Sequence, residues 1–224
     1  SPWSPPAWMK INDNMIDSEH PDGLIQSDEI GEALANYFVR FAKAWAAAGV
    51  PMWGCTLQNE PLMDMTHAYH HYEACSYTAE SQAKFLKDHL GPAIRGDPAT
   101  KDLFLMAYDW NKGHLADWAA TVEAEGGGYA DGYAIHWYQW GGGLKLEDLQ
   151  ALEKAAPGTF TLATEACLIN HGISASASAS ASASASASAP HPHLHAHLQA
   201  GALLGLLAAE LFGAALLGPR VYAM

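Results

Sequence analysis

Positively charged side chains are scarce in this sequence. Eleven lysines and arginines stand against 24 aspartates and glutamates, which gives a formal net charge of −13. Nucleic-acid binding requires a clustered basic face, and because this composition offers none, we expect no nucleic-acid partner. The acidic balance also gives no reason to expect attraction to anionic lipid.

Cysteine is also rare. Cys55, Cys75 and Cys167 are too few for a disulfide framework and form no CxxC pattern, and their odd number leaves the redox compartment open. Cys55 and Cys167 lie inside apolar, strand-like runs, which predicts buried free thiols. The first residues, SPWSPPAWMK, show no charged leader followed by an apolar core, so we expect no signal peptide within this chain.

What the sequence does contain is enough apolar surface for one folded domain, since half of its 224 residues are hydrophobic and a tenth are aromatic. Helical patterns cover 27–49, 78–96, 114–125 and 144–155. The strand-like runs between and around them cover 52–57, 103–108, 133–138 and 160–164. Strands that alternate with helices predict a parallel sheet covered by helices, either an eight-fold barrel or an open doubly wound sheet.

The alternation stops after residue 173. Residues 174–189 are eight Ser-Ala pairs, which predict a flexible linker. Residues 190–224 form the tail, in which alternating histidines from His191 to His197 precede an Ala/Leu/Gly-rich stretch over 198–217. That stretch has nearly the length of a membrane span, but Glu210 inside it would be costly in lipid. The favoured interpretations are therefore a helical tail outside the membrane, or a segment whose sequence was not selected to fold.

Polar and aromatic residues follow the strand-like runs. They are Asn59-Glu60, Asp109-Trp110-Asn111, His136-Trp137-Tyr138 and Glu165. In a barrel the active site forms at the carboxyl ends of the strands, so this placement favours the barrel over the open sheet. Glycoside cleavage with retention needs two carboxyl groups roughly 5–5.5 Å apart, a nucleophile and a proton donor. The alternative is that both glutamates are ordinary solvated loop carboxylates.

Histidines raise the question of a metal site. His67, His70 and His71 lie together in a loop, but no carboxylate or thiol partner is placed beside them. The four histidines of the tail are better explained by low-complexity bias than by metal binding. We therefore expect no metal and no organic cofactor.

Four motifs carry a resemblance to a known family. SPWSPPAWMK, TLQNEP, AIHWY and TEAC, in this order and spacing, resemble glycoside hydrolase family 30 and specifically its glucosylceramidase branch. The stretch YEACSYTAESQAKFLKDHLGPAI is similar to that branch too, so the resemblance covers about residues 1–170. It implies that Glu60 is the acid/base at the end of the fourth barrel strand and that Glu165 is the nucleophile at the end of the seventh.

The resemblance also implies a set of substrate-binding residues. Trp3 corresponds to an aromatic wall of the sugar pocket at the end of the third strand, and Asn59 to a residue that binds the sugar 2-hydroxyl. His136 and Tyr138 correspond to residues near the nucleophile. Asp109 is the weakest member of this set, because the Trp110-Asn111 that follows it departs from the family pattern.

The implied fold is a partial (β/α)₈ TIM barrel over residues 1–173, with about strands 3 to 7 of the eight. The implied activity is hydrolysis of glucosylceramide or another β-glucoside with retention, which would bring transient contact with a membrane surface and a lysosomal, vacuolar or secreted location. The alternatives are another family 30 β-glycosidase such as a β-1,6-glucanase or xylosidase, an inactive truncated fragment, or a membrane-tethered interaction module. The oligomeric state is left open.

Overall fold

The computed structural model describes residues 1–63, 71–136, 138, 146–165 and 221–223. Its centre is a parallel sheet in which each strand pairs with the next one along the chain. The strands are β1 (Gly54–Thr56), β2 (Phe104–Asn111), β3 (Gly132–His136), β4 (Phe160–Glu165) and β5 (Val221–Ala223). A doubly wound sheet would reverse its strand order at a switch point, whereas a barrel keeps chain order. The predicted partial barrel is therefore confirmed as the fold class.

The strand boundaries differ from the prediction in informative places. β2 runs to Asn111, three residues further than predicted, so Asp109 lies within the strand and not after it. β3 ends at His136, two residues earlier than predicted. Val221–Ala223 pairs with β4, although no strand was predicted in the tail. Three residues after an Ala/Leu-rich run are too few to show the alternation that indicates a strand.

Helices flank the strands at all four predicted places. They are α1 (Asp28–Ala47), α2 (Ala79–Phe85), α3 (Gly91–Gly96), α4 (Leu115–Glu125) and α5 (Leu146–Ala155). The Ser27 hydroxyl caps α1 by accepting a hydrogen bond from the backbone N–H of Ile30 at 3.3 Å. Thr78 and Ser81 form a reciprocal capping box at the start of α2.

The helix predicted over 78–96 contains a widened turn. Leu86–Leu90 is π-helical and separates α2 from α3, and the N–H of Gly91 bonds to the carbonyl of Leu86. Pro92 accounts for this change, since it has no N–H and its ring would collide with the carbonyl of Asp88 in a regular α-helix. The chain continues as a helix in the same direction, while a backbone hydrogen bond in this turn spans five residues where an α-helix spans four.

Side chains of the sheet alternate between two buried clusters, as the pleat of a strand requires. Leu105, Tyr133 and Ile135 belong to the larger cluster, which also contains the buried faces of the helices. The smaller cluster consists of Met106, Ala134 and Leu162, with Phe160 packed against it. These two clusters define the two faces of the sheet, and the polar residues at the strand ends extend the face of the smaller one.

The apolar stripe of α1 is only partly buried. Ile30 and Leu34 lie in the core, but Phe41 and Trp45 remain 44% and 45% exposed. They line an apolar cavity of about 400 Å³ between α1, the first residues of the chain and residues 50–52. The cavity includes neither Glu60 nor Glu165, so it is separate from the strand-end residues considered below.

Parts of the predicted organisation fall outside the described residues. The Ser-Ala linker over 174–189, the tail histidines and the stretch over 198–217 are among them, so the domain boundaries stay predictions. In the portion of the chain that the structure describes, no helix has both the length and the apolar character needed to cross a membrane.

The two described cysteines provide a test of the fold. Cys55 and Cys75 are buried free thiols, as predicted for Cys55, and burial raises the pKa of each to about 12. Because the thiolate is the reactive form, we expect iodoacetamide at neutral pH to leave both peptides unmodified in the native chain and to alkylate them in denaturant. Peptide mass spectrometry would measure this, and rapid native alkylation of Cys55 would contradict the described core.

Candidate active site

Three strand ends bring two glutamates and a histidine together. Glu60 follows β1, His136 is the last residue of β3, and Glu165 is the last residue of β4. One carboxylate oxygen of each glutamate and one ring nitrogen of His136 all lie within 4.8 Å of one another. Parallel strands in chain order place their carboxyl ends at one edge, which is why residues 105 positions apart in sequence meet here.

Glu60 is held by its backbone and by a tyrosine. Its φ of 50° lies in the left-handed region, although a residue before proline is usually extended. The backbone N–H of Glu60 donates to the carbonyl of Asp109 at 3.0 Å, which fixes this conformation against β2. The hydroxyl of Tyr72 donates a hydrogen bond to Oε2 of Glu60. Burial, and then the contact with Glu60, raise the pKa of Tyr72, so this tyrosine stays a donor.

Trp3 lies beside the same tyrosine. The two rings meet edge to face with their centroids 5.4 Å apart, and Trp3 keeps 44% of its surface exposed. Two hydrogen bonds link the first residues of the chain to the residues that follow β1. The N–H of Asn59 donates to the carbonyl of Pro2 at 2.8 Å, and the side-chain amide of Gln58 donates to the carbonyl of Trp3 at 2.6 Å. These bonds hold Trp3 beside Tyr72, whose hydroxyl donates to Glu60.

Glu165 has its own tyrosine. The hydroxyl of Tyr138 donates to Oε2 of Glu165 at 3.1 Å. The rings of Tyr138 and His136 meet edge to face with centroids 5.8 Å apart, which keeps the tyrosine over the carboxylate. The side chain of Glu165 is 23% exposed, against 12% for Glu60. Each glutamate therefore accepts a hydrogen bond from one tyrosine and keeps an opening to solvent.

His136 lies between three carboxylates and is fully buried. Its Nδ1 is 3.3 Å from Oε1 of Glu60 and 3.7 Å from Oε2 of Glu165, without an aligned hydrogen bond to either. Its Nε2 is 3.2 Å from Oδ1 of Asp109. Burial alone would lower the pKa of His136, but the contacts with Asp109 and Glu60 and the charge of Glu165 outweigh it and raise the pKa to about 9. The ring is therefore an imidazolium at neutral pH.

Asp109 lies behind His136, away from solvent. It is 0% exposed, and Thr56 and Thr164 donate to its two oxygens at 2.7 Å and 2.5 Å. Burial would raise the pKa of Asp109, but the hydrogen bonds from His136 and the threonines, together with the imidazolium charge, lower it. As placed, Asp109 offers no surface to a sugar, so its predicted role as a direct substrate ligand gains no support from this geometry.

Asn59 is buried beside Glu60, with 1% of its surface exposed. Neither its amide nitrogen nor its amide oxygen has a hydrogen-bond partner among the described residues. Buried polar groups are nearly always paired, so an unpaired donor and acceptor on one side chain indicate a place where a ligand supplies the partners.

The described ranges contain one group that is close enough to hold a cation, namely Glu60, His136 and Glu165. A metal there would need the unprotonated Nδ1 of His136, whereas the ring as placed lies among the acidic side chains of Glu60, Asp109 and Glu165. His71 instead pairs with Asp17 at 2.6 Å on the surface. His67 and His70 lie outside the described residues, so the prediction about that loop is not addressed further.

Three residues of this site were missed from the sequence. They are Tyr72, Thr56 and Thr164. Tyr72 was available as a tyrosine in the stretch similar to the glucosylceramidase branch, but its pairing with Glu60 depends on the path of the intervening loop. The threonines gave no signal, because a threonine in a buried strand is ordinary. Trp137 lies outside the described residues.

Known proteins resemble this chain in sequence and in fold. Residues 1–184 match the family described as the Glycosyl hydrolase family 30 TIM-barrel domain. Putative glucosylceramidase 3 of Caenorhabditis elegans is 36% identical over 172 residues, which cover 75% of this chain and 31% of the worm protein. Lysosomal acid glucosylceramidase of Mus musculus is 31% identical over 170 residues, which cover 75% of this chain and 32% of the mouse protein.

A solved structure agrees with these relatives. The endo-beta1,6-glucanase BT3312 superposes with a TM-score of 0.60 at 25% identity, over 75% of this chain and 37% of that one. The chain thus spans about a third of the length of the curated relatives it matches. The family match extends over most of the chain and includes both glutamates. The chain therefore belongs to glycosyl hydrolase family 30.

Proposed function

We propose that this chain carries the two catalytic carboxylates of a retaining β-glucosidase, with Glu60 as acid/base and Glu165 as nucleophile. The observation that carries the proposal is the spacing of the pair, since one oxygen of each carboxylate lies within 4.8 Å of the other. Retaining glycosidases hold their carboxyl groups roughly 5–5.5 Å apart, whereas inverting enzymes need about 6.5–9.5 Å to admit a water molecule. The spacing supports retention.

The proposed reaction has two displacement steps. In the first, a carboxylate oxygen of Glu165 forms a bond to the anomeric carbon while the bond to the leaving oxygen breaks. The leaving oxygen takes that bonding pair and receives the proton of Glu60. In the second, Glu60 takes a proton from water, whose oxygen attacks the anomeric carbon and releases Glu165. Neither step requires a metal or an organic cofactor.

The surrounding donors orient both glutamates. Tyr138 donates to Glu165 at 3.1 Å, and the imidazolium of His136 lies 3.7 Å from the same oxygen, so the carboxylate is oriented and its negative charge is stabilised. Tyr72 orients Glu60 in the same way. Tyrosines that donate to a carboxylate restrict its rotamers, which lowers the cost of reaching the reactive geometry.

The substrate we propose is a β-glucoside, in the first place glucosylceramide. The support is that relatives at 31–36% identity are named glucosylceramidase. Asn59 offers an unpaired amide to the sugar hydroxyls, and the exposed face of Trp3 offers a flat apolar surface to the ring. A glycolipid substrate would bring the protein into transient contact with a membrane surface.

A β-1,6-glucanase activity is the second candidate, favoured by the structural similarity to an endo-beta1,6-glucanase. Two substrates distinguish the candidates. Release of ceramide from glucosylceramide in detergent micelles supports the first, and shortening of a β-1,6-linked glucan supports the second. Both activities would use the same two glutamates.

Covalent trapping of Glu165 is the test of the proposed function. Because the glycosyl-enzyme forms on the nucleophile, we expect a cyclitol epoxide of glucose configuration to attach to the peptide that contains Glu165. Glu165→Gln should lose the label entirely. Glu123→Gln is the matched control, since Glu123 also accepts a hydrogen bond from a tyrosine, Tyr133, at 2.8 Å, but lies on α4.

The labelling experiment has three distinct outcomes. Label on Glu165 in the native chain supports the proposed function. Label on another residue contradicts the assignment of the nucleophile. Cooperatively folded chain that takes no label would show that this part of the family domain is catalytically inactive by itself.

A further inference from the structure

The strands around His136 contain two irregularities. The pairing of β2 with β3 steps from Tyr108 to Trp110, so Asp109 is an extra residue in β2. The pairing of β3 with β4 steps past Thr164 in the same way. β-bulges change the direction of a side chain and are frequent next to active sites.

These bulges change which face each side chain occupies. Ala107 and Tyr108 are consecutive, yet both pack in the larger core cluster, so Asp109 turns to the opposite face. On β4, Thr164 reaches Asp109 while the next residue, Glu165, approaches His136. In a regular strand, consecutive side chains point to opposite faces, and this cluster would not form.

The two extra residues bind each other. The hydroxyl of Thr164 donates to Oδ1 of Asp109 at 2.5 Å, and Thr56 donates to Oδ2 at 2.7 Å. Oδ1 of Asp109 also lies 3.2 Å from Nε2 of His136. A buried carboxylate is stable only when its charge is balanced and its oxygens are hydrogen-bonded, and this arrangement meets both conditions.

We propose that Asp109 and Thr164, the extra residues of the two bulges, form with Thr56 a buried support that orients His136 between the proposed catalytic carboxylates. Asp109 is then a positioning residue that acts through His136 and does not touch the sugar. This inference rests on the proposed function, because orienting His136 matters for catalysis only if Glu60 and Glu165 are the reacting carboxyl groups.

Backbone strain agrees with a functional role for the first bulge. Tyr108 and Asp109 have φ values of 75° and 70°, a region that residues with side chains rarely occupy. Strained residues persist where the surrounding structure determines their conformation, and they concentrate at functional sites. The side chain of Asp109 reaches His136 only because the backbone adopts this conformation.

Among the described residues, acidic side chains face both ring nitrogens of His136. Asp109 faces Nε2, and the carboxylates of Glu60 and Glu165 face Nδ1. The other titratable groups against it are the Tyr138 ring and Lys112, whose Nζ donates to the His136 carbonyl at 3.2 Å. Because Asp109 is the acid hydrogen-bonded to Nε2, removing its charge should affect the ring most.

A histidine titration tests the inference without any reaction. We would follow the imidazole resonances of the full chain by NMR, in the wild type and in Asp109→Asn. The wild type should show one histidine with a midpoint at about 9, and in D109N that midpoint should fall toward the ordinary value of 6.5. An unchanged high midpoint in folded D109N would overturn the proposal.

Two variants serve as matched controls. Asp131→Asn removes a carboxylate that binds Arg95 at 2.6 Å and the N–H of Leu105 at 2.7 Å, before the start of β3. Thr100→Val removes a buried hydroxyl that donates to the carbonyl of Ile94 at 3.0 Å. Both should leave the high midpoint unchanged, and a fall of the midpoint in either would show that general loosening of the fold, and not Asp109, explains the effect.

A second measurement tests the inference even if D109N does not fold. In the wild type, the Nε2 proton of His136 should exchange slowly with solvent because Asp109 holds it, and Thr164→Val should accelerate that exchange. Absence of a protected ring proton, or unchanged exchange in T164V, would overturn the proposal. Failure of the epoxide to label Glu165, with a shifted midpoint in D109N, would instead show that the chain is catalytically inactive by itself and that Asp109 still holds His136.

Discussion

Glu60→Gln should lower the hydrolysis of an alkyl β-glucoside by about 10²–10⁴-fold, because glutamine cannot give a proton to the leaving oxygen. A dinitrophenyl β-glucoside should form the glycosyl-enzyme almost as fast as with the wild type, since its leaving group departs without protonation. The measurement is kcat/KM for both substrates with both proteins. The two substrates share the sugar, so binding of the glucose ring cancels in the comparison.

The same variant should respond to azide. Azide attacks the glycosyl-enzyme without a general base, so it should restore turnover of the dinitrophenyl glucoside and yield a β-glucosyl azide. Glu123→Gln, whose carboxylate binds Tyr133 on α4, should behave as the wild type with both substrates. Equal losses on both substrates, in protein with an unchanged unfolding midpoint, would mean that Glu60 is not the proton donor.

The strand-helix order and the two glutamates were predictable because local patterns encode them. Glu165 directly follows an apolar run, and Glu60 stands in a motif before Pro61, so both were assigned to strand ends. Parallel strands in chain order then bring those ends to one edge of the sheet. This much depends on periodicity and on a sequence motif, and both can be read without coordinates.

The support beneath His136 was not predictable from the same patterns. A period of two assigns Asp109 to a face from its neighbours in sequence, but a bulge shifts that assignment by one residue. No local signal marks Thr164 as an extra residue, since the shift arises from the pairing of β4 with β3. Sequence therefore predicted Asp109 as a substrate-binding residue, but gave no signal of the bulge that brings its carboxylate to His136.

His136→Ala should destabilise the fold by about 3–5 kcal/mol at pH 6, because it leaves the buried charge of Asp109 without its cation. The measurement is the free energy of unfolding in urea, followed by tryptophan fluorescence. Adding Asp109→Asn to this variant should recover part of the loss, since the neutral amide needs no cation. The double-mutant cycle thus separates the charge interaction from the loss of ring packing.

The size of this loss should depend on pH. Since folding raises the pKa of His136 from 6.5 to about 9, the imidazolium stabilises the native state fully below about pH 6.5. That contribution, on the order of 3 kcal/mol, is lost as the pH rises through about 9. The difference between wild type and H136A should therefore be largest near pH 6 and should shrink toward the packing contribution by pH 10.

His71→Ala controls for the loss of a histidine that pairs with a carboxylate. Its ring binds Asp17 at 2.6 Å but is 61% exposed, so we expect a loss of only about 0–1 kcal/mol. A difference between wild type and H136A that stays constant from pH 6 to pH 10 would mean that His136 is not charged in the native state. Glu60 and Glu165 would then lie beside a neutral ring, and among the described contacts the hydroxyls of Tyr72 and Tyr138 would remain to orient them.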